Sequence, residues 1–456
     1  MRKLALIFGL LGLLSFGPVL AQEPSQIVLY LDRISSSAYS AELSFDHLLL
    51  HLDSDSLRLR PLLSSIRSAD LIQRQVLLAE AEVAPGNCRS LALVVSVQMA
   101  VPAGSDSAGY SYQQEASIPL DLALRPGSSE AMFLSWEQVA SADTARPFQT
   151  VFREVRKKLP PLTARAYVSN EGSGNLSILD LQAGEVVGCL RVGQGPRGLA
   201  VSQQNRLLYV ANSQSNTVSV LDLQTQQLRA EINLDFGDEP QALCLSRDER
   251  KLFSANHGSN SVTVLDAERF TILSKVSVGT TPLDIAADPS GGWIYVVNSL
   301  SDDISVLDPE TLQIAYTLQV GSYPVAIQFA GSQRSAYVAN SRSGYVTQIN
   351  TATIAVATQL NLSRGISDIA VDTFTGTLYC AFEDLNYVSA FRPDLNVELT
   401  QIPVDDGPRQ IVFDPRGNLL YVCCAKSNSI SVINKISGRV VRTIATGQSP
   451  YRVVFP

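Results

Sequence analysis

Leu283-Asp-Ile-Ala-Ala, Trp293-Ile-Tyr-Val-Val, Asp303-Ile-Ser-Val-Leu and Gln313-Ile-Ala-Tyr-Thr-Leu318 are four short strand-like runs in 36 residues, with Pro289-Ser-Gly-Gly292 as a turn after the first. Alternation in the third run fits a sheet packed between other sheets, and Pro, Ser and Gly supply the turn chemistry. The second run contains Tyr295-Val-Val-Asn298, and this motif recurs along the chain. It stands as Tyr167-Val-Ser-Asn170, Tyr209-Val-Ala-Asn212, Phe253-Ser-Ala-Asn256 and Tyr337-Val-Ala-Asn340, then degenerates at Tyr379-Cys-Ala-Phe382 and Tyr421-Val-Cys-Cys424. The aromatic positions are 42, 44, 42, 42, 42 and 42 residues apart. Four strands in each of several ~40–50-residue units predict the blades of a β-propeller. A helical repeat would carry a 3.6-residue apolar stripe instead.

Two further markers keep the same step. Asp or Asn closes the third run at Asp180, Asp222, Asp266, Asp308, Asn350 and Asn434, with Arg392 as the exception. A Pro opens the first run at Pro196, Pro240, Pro282, Pro324, Pro408 and Pro450, with Ile366 in the remaining slot. The extra two residues fall near the acidic stretch Leu234-Asp-Phe-Gly-Asp-Glu239. The repeat begins at Ala164-Arg-Ala-Tyr-Val-Ser-Asn170, a second strand without a first. It ends at Tyr451-Arg-Val-Val-Phe455, a first strand without a second. Pairing the two completes a seventh blade and removes the open edges that invite aggregation.

Tyr-Val-x-Asn, an alternating run to Leu-Asp, then Val-Gly-x-x-Pro resembles the YVTN family of β-propeller repeat proteins over residues 163–456. That family includes archaeal surface-layer proteins and bacterial periplasmic proteins, so the resemblance implies a seven-bladed propeller in the cell envelope. It implies little about activity, because propellers of one shape serve unrelated tasks.

Ahead of the repeat, Arg2 and Lys3, the apolar Leu4–Phe16 and Val19-Leu20-Ala21 read as a secretory signal cleaved after Ala21. The apolar stretch is short for ~30 Å of hydrocarbon, no Cys follows it, and no later stretch is long and apolar enough to span a bilayer. The expected localisation is therefore periplasmic or extracellular. Residues 22–143 carry strand signals at Gln26–Leu31, Glu42–Phe45, Leu91–Val97 and Ser117–Leu122, with a Pro85-Gly-Asn87 turn. They are expected to form a β-sandwich-like domain resembling transthyretin-type or immunoglobulin-type modules of envelope proteins. Within a linker at 144–162, Phe148, Phe152, Val155 and Leu159 stand at helical spacing before Pro160-Pro161, which predicts a short amphipathic helix docked on one domain. The whole is an all-β chain.

A composition 45% hydrophobic and 17% charged is that of a folded protein, and a net charge of −8 argues against nucleic acid as a partner. The six cysteines match no zinc or c-type haem spacing. Cys423 and Cys424 are expected as free thiols, or one of them paired to Cys380. No Walker loop, dinucleotide fingerprint, His-Glu-x-x-His or Gly-x-Ser-x-Gly occurs, and no cofactor, metal ligand or catalytic residue stands out.

A ligand site is nonetheless placed by blade geometry. Loops entering the innermost strand and loops joining strands two and three open on one face. Residues that break the repeat there are candidates: Arg197, Asp284, Asp368, Arg409, Tyr451 and Arg452 after the Pro slot, and Glu171, His257, Arg342, Glu383, Asp384 and Lys426 after the Asn slot. Arg197, Arg409 and Arg452 could form forks for carboxylate or phosphate; the competing reading is solvated rim charge. The repeated Asn and Asp are expected to satisfy turn backbone. The main functional expectation is an exported, non-enzymatic scaffold engaging an envelope protein, peptide or glycan. The alternatives are an enzyme similar to seven-bladed lactonases or quinoprotein dehydrogenases, and a structural surface-layer component.

Overall fold

The computed structural model describes residues 23–32, 41–53, 55–72, 74–99, 110–140, 148–330 and 334–456. The expected signal peptide, residues 1–21, lies outside them. From Arg165 onward the chain forms seven four-stranded antiparallel sheets arranged as a ring, each innermost strand touching the next. Blade 1 is composite. Its innermost strand, Pro450–Val454, pairs with Arg165–Asn170, placing Tyr167 opposite Val454 and Ser169 opposite Arg452. Blades 2 to 7 follow in chain order.

The repeated residues explain why each blade forms. Tyr167, Tyr209, Phe253 and Tyr295 are fully buried between blades. Tyr209 donates its hydroxyl to Ala267 O in the next blade (2.7 Å), and Tyr295, Tyr379 and Tyr421 meet Phe329, Phe413 and Phe455 edge to face. The Asp or Asn ending strand three accepts backbone N–H groups of its turn, as expected: Asp308 Oδ1 takes those of Glu310 and Thr311. The motif Asn acts differently. Its amide reaches strand three and staples the hairpin, as Asn212 Nδ2 does to Thr217 Oγ1 (3.0 Å) and Ser219 Oγ (2.8 Å). Where the motif degenerates the staple is replaced: Phe382 stacks on Tyr387, and Cys424 Sγ meets Ser431 Oγ at 3.6 Å.

The N-terminal domain is a sandwich of two sheets. One has the order β5 (Val76–Val83), β1 (Ser25–Leu31), β8 (Ser129–Ala140), β9 (Phe148–Val155). The other runs β3 (Ser56–Leu59), β2 (Ala41–Leu52), β6 (Gly86–Met99), β7 (Tyr110–Leu124), with β4 (Ser65–Arg67) also on β2. Leu43, Phe45, Leu48 and Leu50 of β2 and Leu91, Leu93, Val95 and Val97 of β6 supply one side of its core. The register shift between Phe45 and His47 moves the inward positions from odd to even along β2.

Residues Phe148–Val155 correct one expectation: they form strand β9 on β8, with Phe152 opposite Trp136, and not a helix. Thr150, Val151, Phe152 and Val155 suit a pleated surface, and Thr150 and Phe152 alternate inward. Pairing with β8 outweighs a helical stripe that happened to fit both periods. The domain thus runs into what looked like linker.

The two domains share a core. Strand β1 reads as a continuous apolar run because both its faces are covered. Ile27, Leu29 and Leu31 enter the sandwich core, while Val28 and Tyr30 join Leu77, Phe133, Val186 and Cys189 against blade 1. At this seam Lys157 Nζ meets Asp32 Oδ1 (3.0 Å) and Glu185 Oε1 (2.7 Å), all three side chains nearly buried. Glu80 accepts from Ser173 Oγ (2.7 Å) and Gln448 Nε2 (2.9 Å), and burial raises its carboxyl above the usual range. The sandwich therefore grips the blade that holds both propeller ends. All six cysteines are free thiols, so Cys380 bridges neither Cys423 nor Cys424.

Candidate functional site

The Pro slots place two layers of side chains at the propeller mouth. One residue after the slot stand Arg197, Gln241, Leu283, Val325, Ser367, Arg409 and Tyr451. Two after it stand Gly198, Ala242, Asp284, Ala326, Asp368, Gln410 and Arg452. Gly198 is required by close approach, since a Cβ there would lie 2.7 Å from Ala242 Cα. In the deeper layer three side chains reach the next blade: Asp284 Oδ2 accepts from Ile327 N (3.1 Å), Asp368 Oδ2 from Ile411 N (3.0 Å) and Gln410 Oε1 from Val453 N (2.9 Å). These tie innermost strands whose outward amides have no ladder partner.

Above them opens a cavity of about 360 Å³ lined by Arg197, Asp368, Glu383, Arg409, Tyr451 and Arg452, among others. Leu283, Tyr323, Val325 and Ile366 also line it. Arg452, from blade 1, donates Nη2 to Asp284 Oδ1 of blade 4 (3.1 Å), while its Nε is buried without a partner among the described residues. Burial pushes the Asp368 carboxyl up to about 7, against the pull of nearby Arg452 and the Ile411 amide. Tyr451 lies beneath Arg197 and Arg409, whose guanidinium carbons stand 5.5 and 5.7 Å from its ring centroid. Glu171 joins the same two arginines: Oε1 accepts from Arg197 Nη2 (2.6 Å) and Nε (3.0 Å), Oε2 from Arg409 Nη1 (2.9 Å). Arg409 Nε also faces Glu383 Oε1 at 3.4 Å. Burial opposes the Arg409 charge, but Glu383 and Glu171 outweigh it and hold its pKa above the ordinary value.

Of the expected site residues, Arg197, Arg409, Arg452, Asp284, Asp368 and Glu383 converge. Arg342 stays at the rim, its guanidinium 4.0 Å from the Tyr323 ring centroid. His257 does not join: its Nδ1 faces Glu239 Oε2 at 3.3 Å in the blade 3 loop, because the acidic insertion before Pro240 turns that side chain aside. The three arginines do meet, but their forks are already engaged by carboxylates of the same chain. Gln241, which bonds both Arg197 and the Tyr451 hydroxyl, was not foreseen. Only its departure from Leu283 and Val325 in the two following slots could have flagged it. Among the described residues no group of three or more His, Cys, Asp or Glu is disposed to hold a metal ion.

This geometry defines the chain as a seven-bladed propeller with a polar, carboxylate-and-arginine mouth. Residues 165–329 match the family model described as lactonase, 7-bladed beta-propeller. Among solved structures, the chain is similar to a putative 6-phosphogluconolactonase from Bacteroides fragilis NCTC 9343, at 17% identity and TM-score 0.56 over 66% of this chain and 100% of that one. It is also similar to a putative 6-phosphogluconolactonase from Bacteroides uniformis ATCC 8492, at 18% and 0.54 over 64% and 99%. Hydrazine synthase of Kuenenia stuttgartiensis is similar at 20% and 0.55 over 62% and 97%. At these identities the likeness establishes the fold. No curated protein matches the sequence.

Proposed function

We propose that the chain is an exported propeller hydrolase of the lactonase type, acting on a small cyclic ester at the mouth. One observation carries this reading: a buried carboxyl titrating near neutrality, Asp368, lines the same cavity as Arg452, whose buried Nε has no partner among the described residues. A general base works best with a pKa near ambient pH, and an unfilled cationic donor suits the oxyanion of acyl transfer. The partial lactonase-family match supports the same direction.

In this scheme a water molecule attacks the ester carbonyl carbon and gives its proton to Asp368. The amides of Ile411, on Oδ2, and Ile369 hold the carboxylate in place. The carbonyl oxygen becomes an oxyanion facing Arg452. The ring C–O bond then breaks, and the departing alkoxide recovers the proton from Asp368, releasing a hydroxy acid. Leu283 and Val325 give the ring carbons an apolar wall. The exported-scaffold reading is the competitor, and it predicts binding without turnover. The deciding experiment follows acid release from a panel of γ- and δ-lactones by the native chain and by Asp368→Asn. Turnover lost at least ~100-fold in the variant supports general-base catalysis; no turnover of any lactone returns the reading to a scaffold.

A further inference from the structure

Glu171 departs from its repeat in a way that folding does not explain. The residue after the motif Asn is Ser213, Ser299 and Ser341 in blades 2, 4 and 5. Ser213 Oγ donates to Gly195 O (3.0 Å) and Ser299 Oγ to Pro324 O, fastening the adjacent loop. Glu171 fastens nothing of that kind with its side chain. Its carboxylate enters the mouth and occupies Arg197 on one oxygen and Arg409 on the other. A bound carboxylate or phosphate would seek these same forks.

No arginine charge is then left over. Arg197, Arg409 and Arg452 face Glu171, Glu383 and Asp284, and Asp368 adds a fourth carboxyl to the same mouth. Arg342 adds a cation only at the rim, and Asp384 is matched by Lys426 at 3.3 Å. A phosphate monoester carries about −1.5 to −2 at neutral pH, so it would lose its hydration at the mouth with no unmatched cation to replace it.

We propose that Glu171 is a specificity-determining residue: it acts as a built-in anion that fills the arginine forks, so the mouth takes an uncharged lactone and rejects a phosphorylated one. The substrate part rests on the lactonase reading above; the anion-exclusion part needs binding alone.

The test is calorimetric titration of inorganic phosphate into the native chain, Glu171→Gln and the double variant Glu171→Gln/Arg409→Gln. The single variant is expected to bind phosphate at least ~tenfold more tightly than the native chain, and the double variant to lose that gain. Glu171→Ser, carrying the residue that three other blades tolerate, is a second variant should the glutamine form fail to fold. Saturable phosphate binding by the native chain as tight as that of Glu171→Gln or Glu171→Ser overturns the proposal, as does the absence of binding in both of these single variants. In parallel, glucono-δ-lactone and its 6-phosphate are compared as substrates. A native preference for the phosphorylated lactone overturns the charge rule while leaving the lactonase reading intact. If neither is hydrolysed, the phosphate titrations alone decide the role of Glu171, and the lactone panel decides the lactonase reading.

Discussion

Arg452 and Asp284 stand 168 residues apart in sequence and on opposite sides of the ring, yet Arg452 Nη2 donates to Asp284 Oδ1 at 3.1 Å. Both side chains are largely buried, at 21% and 5% exposure. The pair crosses the propeller and fixes the floor of the mouth. Removing one partner of such a pair strands the other charge away from water.

Asp284→Asn is accordingly expected to destabilise the chain by about 3 kcal/mol, with the amide oxygen still able to accept from Ile327 N. Denaturant unfolding of native and variant chains checks this; a change within ~0.5 kcal/mol, as at ordinary surface sites, would mean the pair is not structural.

Asp368 makes stability fall as pH rises. Its carboxyl titrates at about 7 when folded and near ~3.9 when unfolded, so the folded state holds the proton more tightly. This group's contribution is fully present below about pH 4 and is lost as pH rises through about 7. A gap that wide corresponds to about 4 kcal/mol. The stability of native relative to Asp368→Asn should therefore fall between about pH 4 and pH 8, measured by paired urea titrations; a flat difference would refute the buried, raised carboxyl.

Lys157, just after β9, joins Asp32 of the sandwich to Glu185 of blade 1. Lys157→Met removes a nearly buried cation from its two ion pairs, for an expected loss of about 3 kcal/mol. Because the domains share a core, the native chain should unfold in one calorimetric transition and the variant in two. One unchanged transition in the variant would show that the apolar seam suffices.

The thiols of Cys189, Cys380 and Cys423 are buried, and burial holds each pKa well above the ordinary value. Iodoacetamide should leave them unmodified in the native chain and label all six cysteines after denaturation without reductant, read by mass spectrometry. A labelling count of four after denaturation would reveal a disulfide.

Much of this fold was legible because local periods carried it. The aromatic step reports a contact one blade away, the turn Asp its own hairpin turn, and the unpaired terminal strands a closure forced by open edges. Phe148–Val155 was misread because eight residues with apolar positions four apart satisfy a helix, while the pairing with β8 that settles the matter is tertiary. The mouth was legible as positions but not as partners. Arg197, Arg409 and Glu171 could be placed on one face from the repeat, yet their ion pairs depend on side-chain reach between blades. The raised titration of Asp368 depends on burial, which no motif encodes.

The most direct test of the mouth as a lactone-hydrolysing centre is the pH–rate profile of kcat/KM for a neutral lactone, corrected for hydrolysis in buffer. A single rise with an apparent pKa of about 7 is expected for the native chain, matching Asp368, and should disappear with Asp368→Asn. A profile that is flat across this range, or a rise that survives the substitution unchanged, would contradict Asp368 as the base and with it the proposed chemistry.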